Sequence, residues 1–219
     1  MKSKIFYTNK FKEIENAIRD FLNSQPDFLS SRSASSTRAT GDAIQELLAE
    51  NFETILGDSC KEYSADFARR AMADLAFKDV NDFYYVVDVK THRKEVGFHM
   101  PNLTSVERLS RFYEDDKNVF VILSISYTIQ DTKVVAEDVH FVPIEFLSWN
   151  CLTIGALGWG QIQIANSDKI SIVEKNPRKA WMIELCDTLL EFYPREIGKI
   201  NKRIDHFKKI RDFWQKKEE

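Results

Sequence analysis

The sequence predicts an α/β fold in which helices flank a mixed central β-sheet. Two observations support this prediction: apolar residues recur at helical spacing near both ends of the chain, and the middle contains β-prone runs such as Val119–Thr128. The elements follow the order helix, hairpin, helix, strands and helix, which differs from the strict β/α repeat of a barrel. With 219 residues and 43% hydrophobic residues, the chain fits one globular domain, 1–219.

Two helices are predicted before residue 60, separated by a loop. Phe11, Ile14 and Ile18 lie at helical spacing and predict a helix over Asn9–Leu22. A second amphipathic pattern predicts a helix over Gly41–Leu56, which Gly57 would end. Residues 30–40, SSRSASSTRAT, are rich in Ser and Thr, so we expect a mobile loop there.

The stretch from Ala73 to Thr91 is predicted to form a β-hairpin. Asp74 begins a short apolar run, a turn-like segment covers 78–82, and a second β-prone run ends in Asp88-Val89-Lys90. Residues two apart in a strand share a face, so Asp88 and Lys90 should point the same way. Pairing of the two runs would bring Asp74 to that face.

The second half is predicted to alternate strands and helices. We expect a polar loop at 92–102, a helix over Leu103–Tyr113, strands over Val119–Thr128 and Val134–Val142, a short helix over Ile144–Asn150, and a strand with one polar face over Trp159–Ala165. A C-terminal helical segment, 177–217, opens at Pro177 and should bend or break at Pro194.

The end of this helical segment combines many Lys and Arg residues with apolar residues at helical spacing: Ile197, Ile200, Ile204, Phe207, Ile210 and Trp214. One interpretation is an amphipathic helix that packs on the body and exposes a basic face. The other is a helix that contacts a nucleic-acid backbone.

Composition narrows the class of protein. The net charge of −3 argues against a protein that coats polyanions. Charges scattered through the N-terminus argue against a signal peptide, and the longest apolar run, Val119–Ile129, is too short to span a bilayer. Three widely separated cysteines indicate neither a disulfide framework nor a zinc site. We therefore expect a cytoplasmic protein with no membrane association.

Asp74, Asp88 and Lys90 suit metal-dependent hydrolysis. The two carboxylates, with the Val89 carbonyl between Asp88 and Lys90, offer oxygen ligands for Mg²⁺. A nearby lysine would favour a hydroxide nucleophile and stabilise developing charge. The plainer interpretation is a solvated strand end whose charges protect an exposed edge.

The spacing of these residues has a known counterpart. Asp74 is separated by thirteen residues from Asp88-x-Lys90, and this pattern resembles the D…(D/E)xK motif of the PD-(D/E)xK superfamily of metal-dependent nucleases. A further segment, Met100-Pro101-Asn102-Leu103-Thr104-Ser105, is similar to the A-P-N-x-x-S segment of EcoRV-like type II restriction endonucleases. That likeness implies that Asn102 reads bases in the major groove, with Thr104 and Ser105 beside it. His99 stands where the family places an intercalating glutamine.

Two more segments resemble the same branch in the same order. Gly158–Ile164 is similar to a W-x-x-x-x-Q-I-Q strand of the central sheet, and Thr40–Ile44 to the glycine-led start of the helix before the active site. The family has a glutamate on that helix where this chain has Gln45, with Glu46 next to it.

The resemblance implies a restriction-endonuclease-like fold and a Mg²⁺-dependent type II restriction endonuclease. Such an enzyme would act in a prokaryotic cytoplasm, within a restriction–modification system, as a homodimer on a short palindromic site in double-stranded DNA. It would leave 5′-phosphates and blunt ends. Arg32 and Arg38 in the 30–40 loop would meet phosphate oxygens, although this loop also fits a plain linker.

Three other hypotheses remain open at this stage. A repair, recombination or transposon nuclease would keep the fold but relax the sequence specificity. A catalytically inactive relative would bind DNA without cutting it, although the intact Asp-x-Lys favours an active enzyme. An interaction protein dominated by its basic C-terminal helix would behave independently of metal in every assay.

Overall fold

The structure is a computed structural model that describes residues 2–64, 73–167 and 169–218. The chain forms two compact units, Met1–Asn176 and Pro177–Glu219. The first unit contains all the strands described below, and the second contains one long helix. None of the helices in the described ranges has the length and apolar character that a membrane crossing requires.

A mixed five-stranded sheet forms the centre of the first unit. Its strands are β1 (Glu62–Tyr63), β2 (Leu75–Lys78), β3 (Tyr84–Arg93), β5 (Asn118–Gln130) and β6 (Lys133–Pro143), in the order β1-β2-β3-β5-β6. Strands β3 and β5 run parallel, and the other neighbours are antiparallel. This arrangement confirms the predicted α/β class, the mixed sheet and the β2–β3 hairpin.

A smaller antiparallel sheet lies in the same unit. It contains β4 (Asn102–Ser105), β7 (Leu152–Gly155) and β8 (Gln161–Ile164), in the order β4-β8-β7. In β8 the isoleucines are buried and the glutamines are partly exposed, which confirms the predicted polar face.

The helices are α1 (Lys4–Tyr7), α2 (Lys10–Ser24), α3 (Ser31–Ala34), α4 (Thr37–Leu56), α5 (Val106–Phe112) and α6 (Arg178–Gln215). Helix α2 packs on β6 and α4 packs on β3. Buried aromatic rings fill the space between these helices and the sheet, among them Phe6, Phe52, Phe77 and Phe141. The helices thus bury one apolar stripe each, as their spacing predicts.

Residues 30–40 are helical where we predicted a mobile loop. The Ser30 hydroxyl accepts a hydrogen bond from the Ser33 N–H at the start of α3, and the Ser36 hydroxyl accepts one from the Ala39 N–H at the start of α4. Serine is a favoured N-cap because its oxygen satisfies an otherwise unpaired helical N–H. The serines that suggested a loop therefore begin two helices.

Three other boundaries differ from the prediction. Residues 103–105 belong to β4, and the helix starts only at Val106, where Ser105 is the N-cap. The segment after β6 forms two 3₁₀ turns, Ile144–Phe146 and Trp149–Cys151, instead of one short helix. Helix α6 contains Pro194 and continues through it to Gln215.

The turn of the β2–β3 hairpin is organised by a buried aspartate. The Asp79 carboxylate accepts hydrogen bonds from the Asn81 and Phe83 N–H groups and from the Tyr85 hydroxyl. The Tyr85 hydroxyl also bonds to the Ser3 hydroxyl, at 2.7 Å. Asp79 therefore fixes the turn that aligns the two strands of the predicted site.

We predict that Asp79→Ala destabilises the protein by about 3 kcal/mol, because three donors lose a charged acceptor and two of them are buried. Urea unfolding followed by circular dichroism measures the change. The matched control is Asp115→Ala, which removes an exposed carboxylate that accepts only from the Lys117 N–H among the bonds found here. Equal stability losses in the two variants would contradict the role assigned to Asp79.

Candidate active site

The candidate site forms where β2 ends and β3 continues. The pairing of the two strands ends with Leu75 opposite Val87. Asp74, the residue before Leu75, still donates its N–H to the Val87 carbonyl. Beyond this point β3 continues to Arg93 and stays paired with β5. Among the described residues, no strand pairs with the other edge of β3 beyond Val87, so side chains can bond to its backbone there.

Two side chains take the place of the missing strand at Val89. Asp74 Oδ2 accepts a hydrogen bond from the Val89 N–H at 2.7 Å. Gln45 Nε2, from α4, donates to the Val89 carbonyl at 3.1 Å. Backbone polar groups that leave a sheet need such partners, so Asp74 and Gln45 are drawn to the same residue.

Asp88 and Lys90 lie on the same face of β3, as their spacing predicts. Lys90 Nζ lies 2.8 Å from Asp88 Oδ1. Asp88 is only 5% exposed, and within the described part of the chain its second oxygen, Oδ2, has no hydrogen-bond partner. The structure thus brings Asp74, Asp88 and Lys90 together and leaves one buried carboxylate oxygen unsatisfied.

The protonation of both aspartates is perturbed by their surroundings. Burial raises the pKa of Asp88 to about 7, and the Asp74 charge adds to the rise, while the Lys90 ammonium opposes it. Burial also raises the pKa of Asp74, against the lowering effects of the Val89 N–H and of Lys90. Near neutral pH Asp88 therefore exchanges a proton easily, which is common for carboxylates at functional sites.

The donor set fits a hard divalent cation. Asp88 Oδ2 is buried and accepts no hydrogen bond from any described residue, and the Val89 carbonyl uses one of its two lone pairs for Gln45. Among the described residues, no group of three or more His, Cys, Asp or Glu side chains could hold a metal. Two carboxylates and a carbonyl still suit Mg²⁺, which keeps several waters and binds through one or two carboxylates.

Helix α4 approaches β3 closely beside the site. A Cβ atom on Gly41 would lie 2.7 Å from Thr91 Oγ1, closer than such atoms pack, so a side chain at this position would require Thr91 or the helix to shift. Gln45 lies one helical turn further along the same helix. The glycine thus keeps Gln45 within reach of Val89, whereas Glu46 is exposed.

A cleft of about 270 Å³ lies next to the cluster, between α4 and the end of β3. Its lining includes Arg38 and Gln45 from α4, Arg93 from β3, and His92 and His99. The two imidazole rings are nearly parallel, with centroids 6.3 Å apart. Burial lowers the pKa of His99, and the neighbouring His92 and Lys90 lower it further.

The residues that the sequence analysis proposed for DNA binding differ in their exposure. Asn102 is exposed at the start of β4, where its Oδ1 accepts a hydrogen bond from Gln163 Nε2 at 2.6 Å. Thr104 is 3% exposed, so its side chain does not reach a DNA surface from this position. Ser105 caps α5, and Arg32 is exposed on α3.

Two residues of the site were not assigned a role from the sequence. His92 continues the alternation of Asp88 and Lys90 along β3, and this period of two was the pattern that could have identified it. Gln45 was noted only as the residue that replaces a carboxylate. Its contact with Val89 depends on the docking of α4, which no local pattern encodes.

Comparison with known proteins adds no assignment, since no family model matches the chain and no curated protein matches it.

We predict that Mg²⁺ binding displaces the proton of Asp88. Because burial raises the pKa of this carboxyl to about 7 and also raises the pKa of Asp74, binding should release more protons at pH 6 than at pH 8. Titration calorimetry in buffers of different ionisation enthalpy measures this release. The matched control Asp82→Asn, on the exposed hairpin turn, should leave it unchanged. Equal proton release at the two pH values would contradict the prediction.

Proposed function

We propose that the protein is a Mg²⁺-dependent deoxyribonuclease that hydrolyses phosphodiester bonds in double-stranded DNA, as a type II restriction endonuclease does. The observation that carries the proposal is the convergence of Asp74, Asp88 and Lys90 on β3 beyond the end of β2, where Asp88 Oδ2 is buried with no hydrogen-bond partner among the described residues. The likeness of these residues to the D…(D/E)xK motif supports the same conclusion.

Asp74, Asp88 and the Val89 carbonyl would hold the cation. When bound, Mg²⁺ supplies a lowered pKa for an attacking water and charge neutralisation at the phosphate. Asp74 has a further role in this arrangement, because its bond to the Val89 N–H fixes the backbone that presents the carbonyl. Gln45 holds the carbonyl of the same residue by donating a hydrogen bond to it.

Lys90 would stabilise negative charge on the phosphate and favour the ionised nucleophile. Its ammonium lies 2.8 Å from Asp88 Oδ1, and its side chain is partly exposed, so it can serve both the carboxylate and an incoming phosphate.

The cleft beside the cluster would accommodate the DNA backbone. Arg38 is strongly exposed at its rim, and His99 and Arg93 also line it. Arginine side chains in such positions bind phosphate oxygens. Asn102, exposed at the start of β4, is proposed to read a base edge, with Gln163 orienting its amide.

The remaining parts of the proposal rest on the resemblance. They are a restriction-endonuclease-like fold, a homodimer on a palindromic site, 5′-phosphate and blunt ends, and a prokaryotic cytoplasmic restriction–modification setting. A two-fold dimer presents the same reading surface to each half-site, which is why palindromy and dimerisation go together.

To test the proposal, the purified protein is incubated with phage DNA in the presence of Mg²⁺ and, separately, of EDTA. The ends of the resulting fragments are then sequenced. Discrete fragments with a common end sequence in Mg²⁺ alone are expected. A smear would indicate a nuclease of relaxed specificity. Intact DNA under all conditions, with retained binding, would indicate an inactive DNA-binding relative.

We predict that Asp74→Asn and Asp88→Asn abolish cleavage while DNA binding stays measurable, because each removes a charged metal ligand but no phosphate contact. Lys90→Ala should lower the cleavage rate by about 100-fold or more, equivalent to about 3 kcal/mol of transition-state stabilisation. Single-turnover cleavage of a defined duplex measures these rates.

Asp82→Asn is the matched control for the two aspartate variants. It makes the same chemical change on the same hairpin, and Asp82 pairs only with the exposed Lys61 among the ion pairs found here. This variant should cleave at the normal rate. Mg²⁺-dependent cleavage that survives in Asp74→Asn or Asp88→Asn would exclude the mechanism.

A further inference from the structure

Helix α6 carries an exposed apolar seam with the seven-residue repeat of a coiled coil. The repeat places Ile183, Leu190, Ile197 and Ile204 at a positions and Tyr193, Ile200, Phe207 and Trp214 at d positions. All eight side chains are between 38% and 72% exposed. Cys186 at d and Arg211 at a complete the five repeats.

The seam is distinct from the part of the helix that is covered. The buried residues of α6 are Trp181 and Leu185, which fall at f and c positions, away from the a/d line. A run of large apolar side chains of this length, exposed on one line, marks an interaction surface.

We propose that this seam pairs with the same seam of a second copy of the chain, as an antiparallel two-stranded coiled coil. With a two-fold axis between Ile197 and Ile200, every a position meets a d position of the partner. Ile197 then meets the partner's Ile200, Tyr193 the partner's Ile204, and Leu190 the partner's Phe207. The end layers, Ile183 with the partner's Trp214 and Cys186 with the partner's Arg211, follow the same rule.

The charges beside the seam select the antiparallel orientation. In that orientation the e positions face each other, so Asp187 meets the partner's Lys208, and the g positions bring Glu196 to the partner's Arg203. In a parallel pair, Arg203 would instead face the partner's Lys208, and the two Arg211 side chains would meet in the core. The self-complementary pairs exist only in the antiparallel arrangement.

The length of the seam is sufficient for a stable pair. Ile183 to Trp214 spans about 48 Å at 1.5 Å per residue. A standard protein–protein interface uses roughly 20–30 residues on each side, and the a, d, e and g positions of this stretch approach that number. The inference depends on α6 alone and is independent of the nuclease activity, although it would supply a two-fold dimer to such an enzyme.

Sedimentation equilibrium of the full chain, without DNA or Mg²⁺, tests the proposal. We expect a dimer, and a weakening of dimerisation by about tenfold or more in Asp187→Lys and in Lys208→Asp, because each creates two like-charged pairs across the two-fold axis. The double variant Asp187→Lys with Lys208→Asp should regain most of the affinity. Glu184→Lys, an equal charge change at a b position, is the matched control and should dimerise normally.

A disulfide experiment tests the orientation. In a Cys60→Ser background, Arg211→Cys should form covalent dimers on oxidation, with a bond between Cys186 and position 211 of the partner. These two positions lie about 37 Å apart along one helix, so the bond has to join two chains. Circular dichroism verifies folding of each variant.

Three outcomes would overturn the inference: a monomer at all concentrations up to about 100 μM, affinity that the double charge exchange fails to restore, or a dimer linked through two Cys186 residues. The last would establish a parallel pair. Loss of DNA cleavage has no influence on these measurements, so failure of the nuclease proposal and failure of the dimer proposal are distinguishable.

Discussion

The candidate site depends on one constraint, the satisfaction of the Val89 peptide groups after β2 has ended. A strand interior leaves an N–H and a carbonyl at its edge, and burial of unpaired backbone groups is costly. Asp74 and Gln45 supply the acceptor and the donor. The Gln45 contact joins the hairpin to α4. The Asp74 contact brings a second carboxylate beside Asp88. The architecture of the sheet end and the chemistry of the site thus have a common origin.

The cluster retains an energetically unfavourable feature, a buried carboxylate that is only partly compensated. Asp88 is buried, its Oδ2 has no hydrogen-bond partner in the part of the chain that the structure describes, and Lys90 partly compensates its charge. Replacing such a group with a packed apolar residue would often stabilise a protein. Groups of this kind are concentrated at functional sites, where a ligand completes the missing interactions. The contrast with Asp79, whose carboxylate is fully used by the turn, separates a structural aspartate from a functional candidate.

Features that depend on residues close together in the sequence could be predicted, whereas features that depend on contacts between distant segments could not. The hairpin and the shared face of Asp88 and Lys90 depend on a period of two and on a short turn, so the sequence predicts both. The helices of the Ser-rich segment were not predicted, because serine is frequent both in loops and at the N-caps of helices. Ser30 and Ser36 are N-caps here. His92 follows the same period of two along β3, so the alternation of Asp88 and Lys90 contains the signal for it. Gln45 joins the site only through the docking of α4 on β3. That contact depends on packing between distant elements, which residue patterns do not record.

The mixed topology of the central sheet has a consequence for the order of assembly. Strands β2 and β3 are joined by a short turn, whereas the parallel pairing of β3 with β5 requires the whole crossover of residues 94–117. Local hairpins form faster than distant strand pairs. Asp88 is therefore still hydrated when the hairpin forms and is desolvated later, when α4 and β5 close around β3. Because its pKa rises to about 7 in that step, the chain takes up a proton as it folds at mildly acidic pH. For this residue, raising the pH from about 4 to 7 progressively disfavours the native state.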